Sequence, residues 1–389
     1  MPDSKVEKDY NALDEAVASL PNSWYFDSDQ YAQEMKAIWQ RSWVYACRAD
    51  ELAAPLSYRT MEIGDQNIVV LRDGDGTLRA FHNACRHRGS VLCTEREGRL
   101  ASKLLICPYH QWSYAVDDGR LARITSLAEP KGFDKADYPL FPVSVGEWRG
   151  CVMINLDADA QWSPETAFHR TPENLANYPL EDLVIGHTWR KTMNCNWKVF
   201  WENFNECLHC PEVHPSLGQL VPIFSRRIMG AKDHPDWKDN VGSDDPLLVG
   251  GLKKGAETWS MDGSAQGHTF EGLSDEDLTR GYTYATSLPS VFMGGYSDHV
   301  RIVQLVPKGP EQTELVSQWL FTRETLDAPD YDISNVVDFA IQVMEEDMVA
   351  CELNQRGLHA APMKQGVLMP EEYVLKRLHE WVREHLEDQ

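Results

Sequence analysis

Two short pieces of the chain, CRHRG and CPYHQW, each hold one cysteine and one histidine close together: Cys85 with His87, and Cys107 with His110. Thiolate and imidazole suit both iron and zinc. A structural zinc site would be closed and tetrahedral, holding a small domain together with four protein ligands. Zinc loops usually pair cysteine with cysteine, whereas each loop here offers one ligand of each kind. Two mixed loops suit two inequivalent metals, one held by two sulfurs and the other by two nitrogens. That is the ligand set of a [2Fe–2S] centre in which two histidines replace two cysteines on one iron. Gly89 and Pro108 are turn-forming residues placed where such loops must bend.

A second group lies in NWKVFWENFNECLHCPEVHP, where Glu206, His209 and His214 follow an acid-x2-His-x4-His spacing. On a helix Glu206 and His209 would share a face. His209 and His214 would be about 140° apart, so a helix must bend or end to bring them together. Pro211 and Pro215 sit where that break is needed. Two histidines and a carboxylate make the facial triad of a non-haem Fe(II) oxygenase, which keeps coordination positions open. MEEDMVACELNQRG offers Asp347 on a predicted helix, directly after Glu345 and Glu346. Alone, such an acidic run reads as a solvated helix face. Cys207 and Cys210 flank His209 and could be soft ligands, but buried thiols lining a helix are the expectation. Cys93, Cys151, Cys195 and Cys351 read as small core residues, and His82, His169, His187 and His359 as ordinary histidines.

The elements that position these residues follow from periodicity. DSDQYAQEMKAIWQRSWVYAC predicts a helix from about Asp29. NIVVLRDGDGTLRAFHNAC predicts a hairpin around a Gly-Asp-Gly turn, and KLLICPYHQWSYAVDDGRL predicts strand, metal loop, strand and turn. DADAQWSPETAFHRTPENL reads as a linker. Beyond it come a strand in LVIGHTWRKTMNCNW, a helix over WKVFWENFNECLH, a loop-rich stretch at 215–280, two strands in DHVRIVQLVPKGPEQTELVSQWLFTRE, and two C-terminal helices. Strands followed by helices predict an α+β fold with an antiparallel sheet flanked by helices. The expected organisation is an N-terminal helical segment at 1–44 packed on the catalytic half, an all-β unit at 45–160, and a catalytic domain at 161–389.

The 389 residues, 42% of them apolar, suffice for buried cores. Sixty acidic against 37 basic residues give a formal net charge of -23, which repels phosphate backbones and argues against nucleic acid as a partner. No run approaches the roughly 18 apolar residues of a membrane span, and the polar N-terminus lacks a signal-peptide core. Nine cysteines, an odd number, point to metal or thiol chemistry in a cytoplasmic protein more than to a disulfide framework.

With these motifs together, the chain resembles the oxygenase α component of Rieske non-haem iron systems over nearly its whole length. Respiratory Rieske proteins are less similar, since they carry an extra cysteine in each loop, and Tyr109 stands where one would be. The resemblance implies a cluster on Cys85, His87, Cys107 and His110, and an Fe(II) on His209, His214 and Asp347. It implies that Glu206 bridges a cluster histidine of one subunit and an iron histidine of the next, in a homotrimer, and that Asn203 lies near the iron. Glutamate at position 206, where most relatives have aspartate, resembles the branch acting on glycine betaine, stachydrine and carnitine. On that reading an N-methyl group is hydroxylated and leaves as formaldehyde; the alternative is an aromatic-ring oxygenase or an O-demethylase. A Rieske electron carrier on an inert scaffold would lack the second metal. No GxGxxG motif opens a βαβ unit and no plant-type ferredoxin cysteine run is present, so a separate flavin and iron–sulfur reductase must supply electrons from NAD(P)H. A quaternary ammonium substrate calls for aromatic faces with no matched lysine or arginine. Tyr282, Tyr284, Phe292, Tyr296, Trp319 and Phe321 are the aromatic candidates, although such residues in strands more often pack in cores.

Overall fold

A computed structural model describes residues 9–387. The described residues form two compact units, one comprising Met35–Pro172 with Thr286–Val291, the other 9–34, Glu173–Ala285 and 292–387. No helix among the described residues is long and apolar enough to cross a membrane.

The first unit is made mostly of short antiparallel strands. Leu78–His82, Gln66–Arg72, Ser57–Ile63 and Glu97–Arg99 are adjacent in that order in one sheet. Leu104–Ile106, Ser113–Ala115 and Leu121–Arg123 form a second, and Ser144–Trp148, Cys151–Asn155 and Val44–Arg48 a third. Val69, Leu71, Phe81, Leu105, Tyr114 and Leu121 pack into one core, and Cys85 and Cys107 belong to it. The segment expected to be a linker instead holds two short helices, Pro164–Phe168 and Thr171–Asn174. Ser163 starts the first as a capping box, with Pro164 in the first turn where its missing N–H costs nothing.

The second unit contains the five-stranded antiparallel sheet. Its order is Leu183–Met193, Gln312–Thr322, Val300–Gly309, Val291–Tyr296, Tyr282–Ser287. Helices Trp197–Phe204, Ser334–Leu358 and Tyr373–Glu387 belong to the same chain half. The N-terminal segment is tied to this unit by charge. Lys198 Nζ lies 2.7 Å from both Glu34 carboxylate oxygens, and Trp197 Nε1 donates to Glu34 at 2.9 Å. Both charged side chains are fully buried. The helix predicted from about Asp29 begins at Ser28: Ser28–Glu34 is α-helical and Met35–Trp39 continues it as π-helix.

Candidate metal centres

The two Cys/His loops are built alike. In the first, the Cys85 N–H donates to Ser90 O at 2.8 Å and the Gly89 N–H to Cys85 O at 2.9 Å. In the second, the Cys107 N–H donates to Trp112 O at 2.8 Å and the Gln111 N–H to Cys107 O at 2.9 Å. The residue four past each cysteine is left-handed: Gly89 at φ 75° and Gln111 at φ 57°. Glycine adopts that conformation without cost, while glutamine is held in it by the loop's own bonds. Asn83 fastens the base of the first loop, donating to Cys93 O at 2.8 Å and accepting from the Cys93 N–H at 2.9 Å.

The loops bring the two predicted histidines together, and the two cysteines lie in one core. The rings of His87 and His110 meet edge to face with centroids 4.8 Å apart, and Trp112 stacks on His87. Both thiols are buried. Tyr114 Oη lies 3.2 Å from Cys85 Sγ. Burial raises the pKa of the Cys107 thiol, but hydrogen bonds from the backbone N–H groups of His110 and Tyr109 outweigh it and hold it below its ordinary value. Burial raises that of Cys85. His110 Nδ1 is buried with no hydrogen-bond partner among the described residues. An orphaned imidazole nitrogen next to a second imidazole, with two buried thiols in the same pair of loops, fits a cluster of the mixed-ligand type.

The second site forms where a helix stops. Asn196 caps helix Trp197–Phe204, its side chain accepting from the Lys198 N–H. Asn205 ends it: its Nδ2 donates to Trp201 O at 2.7 Å and its backbone N–H to the Trp201 and Glu202 carbonyls. Glu206 therefore lies past the helix, not on it as its spacing suggested. A short helix, Cys210–Val213, follows, and His214 leaves helical geometry at φ -122°, ψ 63°. The proline after it disfavours a helical His214, so the backbone breaks there.

That break turns the two imidazoles together, with centroids 5.3 Å apart. His214 Nε2 is 2.8 Å and His209 Nε2 3.4 Å from the same Asp347 Oδ1. One ligand atom from each of His209, His214 and Asp347 lies within 4.8 Å of the others. The remaining ring nitrogens are held by carboxylates: His209 Nδ1 by Glu206 at 2.5 Å, His214 Nδ1 by Glu346 at 2.7 Å. Consecutive residues of the Ser334–Leu358 helix thus take both nitrogens of one ring. Burial disfavours a charged His209, yet Asp347 and Glu206 outweigh it and raise its pKa to about 9. Two imidazoles and a carboxylate converging, each ring oriented by a further carboxylate, suit a divalent metal. Asn203 Nδ2 lies 3.3 Å from His209 Nε2. Glu345 instead faces Lys191 at 2.9 Å.

Cys207 and Cys210 are not free thiols along a helix; they form a disulfide across the turn that carries His209. The helix ends before Cys207, and the two side chains meet across the turn with their Cα atoms 5.0 Å apart. Cys93, Cys151, Cys195 and Cys351 are free and buried, as expected.

A cavity next to the triad is lined by Phe200, Phe204, Trp259, Tyr284, Phe292 and Arg301. Of the six aromatic candidates named from sequence, Tyr284 and Phe292 line it. Tyr282 and Tyr296 pack against Trp259, with centroids 5.3 and 5.4 Å away. Trp319 and Phe321 lie in a separate core with Val336 and Val337. The expected absence of arginine is also overturned, since Arg301 is buried in the wall. The spacing of Phe200 and Phe204, one helical turn apart just before the histidines, was a usable signal; Trp259 lies in the loop-rich stretch and offered none.

Residues 42–139 match the Rieske [2Fe-2S] domain, and residues 180–388 match the ring hydroxylating alpha subunit (catalytic domain). The glycine betaine monooxygenase oxygenase subunit of Chromohalobacter salexigens is 30% identical, over 90% of this chain and 81% of its own length. The carnitine monooxygenase oxygenase subunit of Acinetobacter pittii is 28% identical, over 94% of this chain and 92% of its own. A solved quaternary ammonium Rieske monooxygenase shares the fold with a TM-score of 0.71 at 23% identity, each chain being covered to 97%. The chain therefore belongs to the ring-hydroxylating α-subunit family, as a Rieske-type monooxygenase with a [2Fe–2S] domain and a mononuclear-iron catalytic domain.

Proposed function

We propose that this chain is the terminal oxygenase that hydroxylates an N-methyl group of a quaternary ammonium compound of the glycine betaine kind. The observation that carries the reading is the cavity wall: five aromatic side chains stand around the converging His209, His214 and Asp347. Aromatic faces attract a permanent cation through the ring quadrupole, and the attraction grows when water is excluded. The names of the relatives from Chromohalobacter and Acinetobacter agree with this chemistry.

Cys85, His87, Cys107 and His110 would hold the cluster, and His209, His214 and Asp347 the iron. When bound, these groups supply single electrons and positions open to dioxygen. The protein's own part is orientation. Glu206 and Glu346 fix the two imidazoles, and the aromatic wall holds the ammonium end beside them. In the overall reaction one oxygen atom of dioxygen enters a C–H bond of the methyl group and the other leaves as water, with two electrons and two protons consumed. The hydroxymethyl ammonium then loses formaldehyde and a proton, leaving the tertiary amine. A separate reductase supplies the electrons, and Glu206 bridges subunits of a cytoplasmic homotrimer.

The test is reductase-dependent oxygen uptake across a panel of quaternary ammonium compounds and aromatic acids. Stimulation by betaines supports the reading; stimulation confined to aromatic acids or aryl methyl ethers would move the function to ring hydroxylation or O-demethylation.

A further inference from the structure

Two buried N–H groups in the cavity wall have no hydrogen-bond partner among the described residues. Arg301, on the Val300–Gly309 strand, is only 5% exposed. Its Nε is buried and unbonded, and its guanidinium forms no ion pair or side-chain hydrogen bond among the described residues. The guanidinium lies over the face of Phe292, whose ring centroid is 5.7 Å from its carbon. The indole Nε1 of Trp259, also a cavity residue, is likewise buried and unbonded. Aromatic contacts join the two: Trp259 to Tyr284 at 6.0 Å, Tyr284 to Phe292 at 6.4 Å, then Phe292 to Arg301. A buried donor left unpaired costs free energy, and so does a buried charge. Both residues only donate, and the guanidinium fork matches a carboxylate.

We infer that Arg301 and Trp259 form a carboxylate-binding subsite in the catalytic cavity, so that the substrate is a zwitterion rather than a simple cation. The inference rests on the quaternary-ammonium reading for the substrate's other end. A cation without a carboxylate would enter the cavity against the charge of Arg301 and leave both donors unpaired. A betaine satisfies the donors with its carboxylate and presents its methyl groups to the aromatic faces. The same pair of donors then selects among quaternary ammonium compounds and sets which end of the molecule approaches the histidines.

Three probes separate the two ends in equilibrium calorimetric titrations of the metal-loaded oxygenase. Glycine betaine carries both groups, choline lacks the carboxylate, and 3,3-dimethylbutanoate keeps the carboxylate with neutral carbon in place of nitrogen. The wild-type protein should bind glycine betaine more tightly than choline. Arg301→Met should weaken glycine betaine and 3,3-dimethylbutanoate by about tenfold or more, while choline binds no worse. Arg301→Lys should restore part of the loss, and Trp259→Phe, which keeps an aromatic face but removes the N–H, should weaken glycine betaine and 3,3-dimethylbutanoate more than choline. Iron content and the cluster's absorbance confirm that each variant is folded; if Arg301→Met does not accumulate, the wild-type ranking decides. Choline binding as tightly as glycine betaine overturns the subsite and leaves the ammonium reading standing. Equal binding of 3,3-dimethylbutanoate and glycine betaine, both lost in Arg301→Met, keeps the subsite and overturns the ammonium reading. Equal weakening of all three probes, or no binding of any, overturns the subsite.

Discussion

Glu206 Oε1 lies 2.5 Å from His209 Nδ1, which leaves the ring's other nitrogen facing Asp347. A carboxylate in that position fixes the tautomer and makes the metal-facing nitrogen more basic. Glu206→Gln keeps the size but removes the charge and turns an NH₂ toward one of its partners. Both metal sites and the fold should persist, and steady-state activity should fall roughly 10–100-fold. In a single turnover from reduced cluster and Fe(II), cluster oxidation should slow. Unchanged electron transfer would remove Glu206 from the route.

Asp347 is shared by His209 and His214, so Asp347→Ala removes the one carboxylate common to both. Iron content should drop from about three to about two per chain, with the cluster spectrum retained. Loss of both signals together would mean that Asp347 supports the fold.

Tyr114 Oη is 3.2 Å from Cys85 Sγ. A hydrogen bond to a ligand sulfur favours the more negative, reduced cluster. Tyr114→Phe should therefore lower the reduction potential, by about 40 mV if the bond is worth about 1 kcal/mol. Protein-film voltammetry reads this directly; an unchanged or raised potential would show that the hydroxyl does not bond the sulfur.

Lys198 and Glu34 bury opposite charges 2.7 Å apart, and burial outweighs the pairing enough to hold Lys198 below the usual lysine pKa. Glu34→Gln leaves the lysine charge uncompensated and should cost about 3–5 kcal/mol. Adding Lys198→Met should recover much of that. Denaturant unfolding of the three proteins checks it, and a double variant as unstable as the single one would refute pairing as the cause.

How far the sequence reached depended on whether a feature is local. Cys85, His87, Cys107 and His110 declare themselves by type and spacing, and Pro211 and Pro215 announce the break that joins His209 to His214. The spacing of Glu206 suggests a helix because nothing in it shows that the Asn205 side chain donates to the Trp201 carbonyl. Gln111 is left-handed through loop closure, which a glutamine does not advertise. The pocket was least legible. Val300 to Leu305 is buried on both faces, so alternation cannot say that Arg301 lines a cavity. Trp259 reaches the same wall from a loop-rich stretch with no periodicity.

Formaldehyde derived from the substrate's methyl carbon tests the central reading most directly. With glycine betaine labelled with ¹³C in its methyl groups, a reductase and NAD(P)H, the expected result is ¹³C-formaldehyde and dimethylglycine in equal amounts, one of each per dioxygen consumed. Oxygen uptake without labelled formaldehyde, or labelled formaldehyde that persists in Asp347→Ala, would contradict it.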